Sequence, residues 1–238
     1  MKFVLAFLTL NAGLASAQAA LSWSQLLQPT PEQRQAACDA AVAYERAHPS
    51  PPEQKYVSSI EDETLTRGMR LVDVRATQPA GKVPAGMVNN ILVQLPAYSV
   101  GVACANAEHR GQKFDPKNVA QATLFYVQSE VALLKDALKN SAFLRLLDQD
   151  GKELYRLKAY STPAEQAQWE RRCIQNQAKE NVCRWHGFSV FRFNDDKITP
   201  EVYAATQYLE FVYDRGFGEE VRRYQASDFS VSKLEDTK

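Results

Sequence analysis

The chain reads as mainly β: a β-sandwich-like, predominantly antiparallel body with inserted helices, preceded by an N-terminal α-helical arm. Three observations predict this. From Thr66 onward, short runs of alternating apolar and polar residues recur between turns rich in Pro, Gly and Asp. The stretch Phe143 to Tyr160 is a hairpin pattern, two β-favouring runs flanking the polar loop Asp148-Gln149-Asp150-Gly151-Lys152. There is no βαβ rhythm and no internal repeat. About nine strands with two or three helices result.

The chain opens with Met1-Lys2, an apolar run from Phe3 to Leu10, and Leu14-Ala15-Ser16-Ala17, whose small residues suit a cleavage site. Residues 1–17 therefore read as a secretory signal peptide cleaved after Ala17, with cleavage after Ala19 as the close alternative. The apolar run is too short to span a bilayer, and no later stretch is long enough. The expected location is outside the cytoplasm, periplasmic or secreted, with no membrane span. Lys and Arg number 28 against 28 Asp and Glu, so there is no net electrostatic pull towards nucleic acid or anionic lipid. The basic doublets Arg171-Arg172 and Arg222-Arg223 lie beside Glu170 and Glu219-Glu220, as on a solvated face.

Four cysteines, Cys38, Cys104, Cys173 and Cys183, are an even set in an exported chain and predict two disulfides. Three connectivities are open. The local pair Cys173–Cys183 is the most economical and leaves Cys38–Cys104 to tie the arm to the body. A local bridge has a geometric consequence. Continuous helix would hold those two positions about 15 Å apart, whereas a disulfide needs Cα atoms within about 7 Å. Any helix carrying Cys173 must break before Cys183.

In chain order, residues 18–52 form the arm and its linker. Thr30-Pro31-Glu32-Gln33 is a helix start, with Thr as N-cap and Pro at the first helical position. Ala37, Ala41 and Tyr44 then share a face suited to close packing on a sheet, and His48-Pro49-Ser50-Pro51-Pro52 ends the helix. Residues 53–230 form the sandwich-like body, and 231–238 a polar tail. Within the body, strands are predicted at Leu71 to Ala76, Asn90 to Leu95 and Tyr98 to Cys104. Further strands are predicted at Ala122 to Val127 and Phe188 to Phe193. A short helix is expected between Ser129 and Lys139. A longer one starts at the capping box Thr162-Pro163-Ala164-Glu165 and runs through Trp169 and Cys173. Thr199-Pro200-Glu201 has helix-start chemistry, but strand is favoured from about Thr206, pairing through Asp214 to Gly218 with Glu219 to Gln225.

Signals for chemistry are sparse. Asp148 and Asp150 resemble the start of a calcium loop, but its fifth and twelfth positions are Lys152 and Ala159, so a tight turn explains them better. Cys104 with His109, and Cys183 with His186, would need free thiols to serve as nucleophile or metal ligand. The common hydrolase, metalloprotease and phosphate-loop patterns do not occur, and no cofactor or metal is expected.

The strongest regional feature is aromatic crowding, with eleven aromatics from Trp185 to Phe229. Alternation sends Phe188 and Phe191 to opposite faces of a strand, and Tyr208 and Phe211 likewise, so one set faces away from the core unless a helix covers it. Trp185, Phe188, Tyr208 and Phe217 are the candidate binding residues. The chain thus reads as a disulfide-stabilised, exported, non-enzymatic binding protein of the cell envelope or extracellular space, its partner a protein or glycan. The competing classes are a secreted hydrolase of envelope polymers, with a site assembled from distant residues, and a carbohydrate-binding module.

Overall fold

The computed structural model describes residues 22–57, 60, 69–73, 88–137, 140–160, 168–175, 178–194, 197–214 and 219–229. The signal-peptide segment, residues 74–87 with the end of the strand predicted at Leu71 to Ala76, the capping box at Thr162, Phe217 and the polar tail lie outside the described residues. Among the described residues nine strands form two sheets. One sheet has the order β1-β2-β3-β7-β6, from β1 (Met69–Asp73), β2 (Val88–Gln94), β3 (Thr123–Val131), β6 (Gln168–Gln175) and β7 (Asn181–Phe193). The other has the order β5-β4-β8-β9, from β4 (Ser141–Leu147), β5 (Glu153–Lys158), β8 (Tyr208–Asp214) and β9 (Glu219–Gln225). All pairings between these strands are antiparallel.

The period-2 patterning explains the two-sheet arrangement. On β3, Phe125 and Val127 are buried while Leu124 and Tyr126, which alternate with them, are half-buried. The inner faces meet in one core: Ile91, Val93, Phe125 and Phe191 from the first sheet, Leu144, Leu146, Phe211 and Tyr213 from the second. Phe125 and Phe211 stack across the interface with ring centroids 4.2 Å apart. Burying side chains of this size contributes about 1.5–3 kcal/mol each, and ring pairs add about 0.5–1.5 kcal/mol. The helix α1 (Trp23–Leu27), capped by Ser22, places Trp23 in this core, where its indole N–H donates to the Gln207 carbonyl at 3.1 Å.

The β4–β5 hairpin forms where the sequence predicts it. Gly151 takes the left-handed conformation at φ +80°, which glycine adopts without steric cost. The Asp148 carboxylate accepts the amides of Asp150 and Lys152 at 3.0 and 2.8 Å, so it serves the turn. After β5 the chain crosses between sheets: Tyr160 donates its amide to the Arg192 carbonyl of β7 at 2.7 Å. The favoured strand after Thr206 is β8, the preceding Pro200–Ala205 is the short helix α5, and β9 pairs back along β8.

The arm helix is α2 (Pro31–Ala47), with Thr30 and Gln33 forming a reciprocal capping box. Two expectations around it are corrected. Tyr98 to Cys104 is not a strand but part of a helix, α3 (Pro96–His109), with Pro96 in its first turn. Its alternating residues also satisfy a helical period, since Tyr98, Gly101 and Ala105 are all buried and lie three and seven positions apart. Accordingly, α2 packs against a helix, not a sheet: Ala37 and Ala41 meet Tyr98 and Ala105 in a second, smaller core. Cys104 still points inward and bridges to Cys38, with Cα atoms 5.3 Å apart.

A third correction concerns Cys173. The segment 168–175 is the edge strand β6 and not a helix, with Cys173 directly opposite Cys183 of β7. Their disulfide has a Cα separation of 3.9 Å. The reversal it requires is a β-hairpin, with β6 and β7 paired in register from Gln168↔Phe188 to Gln175↔Asn181. The short helix expected after Ser129 is confined to α4 (Leu134–Ala137), because β3 continues through Val131. The β7 strand is longer than predicted, thirteen residues in all.

Candidate binding surface

Strand alternation divides each sheet into an inner and an outer face, and the two outer faces differ. On β8 the outward residues are Tyr208, Glu210, Val212 and Asp214. Glu210 is only 4% exposed although it points away from the core. Its carboxylate pairs with Arg145 of β4 and with Arg223 of β9, the latter at 3.0 Å. Arg223 also lies over the Tyr208 ring, 5.2 Å from its centroid, and Arg156 lies over Phe143 at 4.7 Å. Arg156 in turn pairs with Glu153, whose carboxyl is held below its ordinary value by the hydrogen bond from that guanidinium. On the outer face of the four-stranded sheet, ion pairs and guanidinium–ring contacts thus engage the charged groups and the rings Phe143 and Tyr208, while Val221 of β9, opposite Val212, stays exposed.

The outer face of the five-stranded sheet is composed differently. In register across β2, β3 and β7 stand Leu92, Tyr126 and Val190, followed in the next row by Asn90, Gln128 and Phe188. Leu92, Tyr126 and Val190 are half-buried, and Phe188 is 38% exposed. The Asn90 side chain donates to Gln128 at 2.8 Å. One row further, Glu130 faces His186 at 3.5 Å and Arg184 at 3.7 Å. The result is an apolar, aromatic centre with amide groups beside it and an acidic and basic group at one end. This mixed composition is typical of protein-binding patches.

Of the predicted binding residues, the three that are described, Trp185, Phe188 and Tyr208, lie on three different sheet faces. Phe188 lies on this outer face. Trp185, three positions earlier, points to the opposite face of β7, in register with Val131 and Arg171. Tyr208 belongs to the other sheet, beneath Arg223, and Phe217 lies outside the described residues. Conversely, the sequence reading does not single out Tyr126, Leu92 or Val190. Their signal is present as the alternation of Leu124 and Tyr126 with Thr123, Phe125 and Val127, but only the pairing register joins them to Phe188.

Both proposed thiol chemistries meet the same fate. Cys104 and Cys183 are disulfide-bonded, and a sulfur in a disulfide is neither a nucleophilic thiolate nor a thiolate ligand. His109, the last residue of α3, instead faces the arm helix, its Nδ1 3.2 Å from the Glu45 carboxylate and its Nε2 2.9 Å from the Gln54 carbonyl. Among the described residues no group of three or more His, Cys, Asp and Glu side chains is arranged to hold a metal ion. No family model, no curated protein and no solved structure matches the chain.

Proposed function

We propose that the protein is a non-enzymatic binding protein acting outside the cytoplasm, and that it holds a protein partner on the outer face of its five-stranded sheet around Phe188. The observation carrying this reading is the contrast between the faces. Phe188 is exposed beside half-buried Leu92, Tyr126 and Val190, whereas on the other sheet the outward rings Phe143 and Tyr208 lie beneath guanidinium groups. Two disulfides support an oxidising compartment, where such bonds persist.

Site-specific photo-crosslinking tests the assignment. A crosslinking residue at Gln128 is expected to trap a discrete protein from an envelope or secreted fraction, with yield falling when Phe188→Asp is added. The same probe at Arg156, on the outer face of the four-stranded sheet, is expected to trap little. Equal yields from the two positions, or a yield indifferent to Phe188→Asp in a variant with native circular dichroism, would overturn the surface assignment.

A further inference from the structure

At one end of the sandwich, where β3 begins and β7 ends, the two sheets separate around a cavity of about 190 Å³. Its walls are Leu144, Leu146, Leu157 and Leu209 from the four-stranded sheet, with Phe193 and Ile198 opposite. All six are buried. Exposed Gln121 and Asn194, with half-buried Gln28, stand where the lining reaches solvent. Among the described residues no Lys, Arg, His, Asp or Glu lines the cavity.

We propose that this cavity is a binding site for the apolar part of a small, uncharged amphiphile, a single ring or short alkyl chain carrying a hydroxyl or amide head. Size and lining specify the tail. Apolar cavities of about 150 Å³ lined by Leu, Ile and Phe accept a benzene-sized molecule, and this one is somewhat larger. The chemistry of the mouth specifies the head. Side-chain amides both donate and accept hydrogen bonds, matching a hydroxyl or carboxamide. An ionised head would be partly desolvated with no counter-charge among the lining groups. The site is separate from the outer sheet face, and small-ligand binding here does not depend on the protein partner proposed above.

The test uses benzene, 1-hexanol and hexanoate with the full-length mature protein. Titration of wild type with benzene or 1-hexanol is expected to give saturable methyl shifts at Leu146, Leu157 and Ile198, and to raise Tm. Hexanoate is expected to bind at least about tenfold more weakly, the cost of an unpaired charge. Leu157→Phe and, independently, Ile198→Phe fill the space and are expected to abolish the shifts. Absence of saturable shifts with both neutral probes overturns the site. Wild-type affinity in a folded cavity-filling variant does the same. Hexanoate binding as tightly as 1-hexanol overturns the neutral-head assignment. The wild-type titration decides the first point whether or not either variant folds.

Discussion

The sandwich core and the α2–α3 pair are held together by different means. In the sandwich, large rings fill the space between sheets: Phe125, Phe191, Phe211 and Tyr213 are each 1% exposed or less. In the helical pair, the central residues are Ala37, Ala41 and Ala105. An alanine methyl removes far less apolar surface from water than a phenylalanine ring. The helices compensate by approaching closely, by a disulfide, and by polar contacts placed in the interior. Glu45 is 4% exposed and is faced by His109 and by the amide and hydroxyl of Ser50 at 2.8 and 3.0 Å. Arg34, also buried, donates to the carbonyls of Pro116 and Val119, the latter at 2.5 Å. Adhesion in one region is spread over many carbon contacts; in the other it is concentrated in a few specific bonds.

The largest expected effects separate the two regions most sharply. Phe211→Ala removes a ring stacked at 4.2 Å on Phe125 and is expected to cost about 3–5 kcal/mol. Urea unfolding should show this as a lower midpoint for the whole sandwich. Replacing both Cys38 and Cys104 by Ser opens a bridge spanning 66 residues, for which loop entropy gives about 4 kcal/mol. Here the loss should be local: amide exchange accelerates in α2 and α3 before β3 and β8. Equal acceleration everywhere would show that the regions melt as one unit.

A smaller effect tests the interior polar contacts. Glu45→Gln keeps the shape but removes the charge facing His109 and one of the acceptors serving Ser50. It is expected to cost about 1–3 kcal/mol, read as a lower denaturant midpoint of the helical pair, with little change in the sandwich. The least costly perturbation is Arg46→Gln. The hydrogen bond from Arg46 holds the Glu108 carboxyl below its ordinary value, across the outside of α2 and α3. A depressed folded value means the contribution is complete above the ordinary carboxylate range and is lost as pH falls through the lowered one. Carboxyl NMR titration should find the Glu108 midpoint moving upward in Arg46→Gln. An unmoved midpoint would exclude Arg46 as the cause.

What could be read from the sequence follows the range of the forces involved. Turn and cap chemistry is local: the Asp148 to Gly151 loop and the Thr30 capping box appear as predicted, and so does the pairing of Glu219 to Gln225 with β8. The segment Pro96 to His109 satisfies two periods at once, and the proline in its first turn is what favours helix over strand. For Gln168 to Gln175 the deciding term is distant. Charged Glu170, Arg171 and Arg172 carry no strand signal, and the conformation is imposed by the partner β7 and by the disulfide. The candidate surface fails to appear for the same reason. Phe188 is visible as an outward aromatic, but Tyr126 and Leu92 join it through register across three strands, which composition does not encode.

The long strand β7 also has a mechanical consequence. Residues up to Arg184 pair with β6 alone, whereas those from Trp185 to Phe193 pair along β3 in the main sheet. Thirteen residues of unbroken strand make a strut about 43 Å long at roughly 3.3 Å per residue. Tension applied at the Cys173–Cys183 end would travel along this strut and load the β3–β7 ladder in shear, its hydrogen bonds sharing the force together instead of opening one after another. The covalent rung near the tip keeps the two legs from unzipping first. A pull on the hairpin would thus be borne by the centre of the sheet, giving the protein a stiff lever where a loop would have yielded.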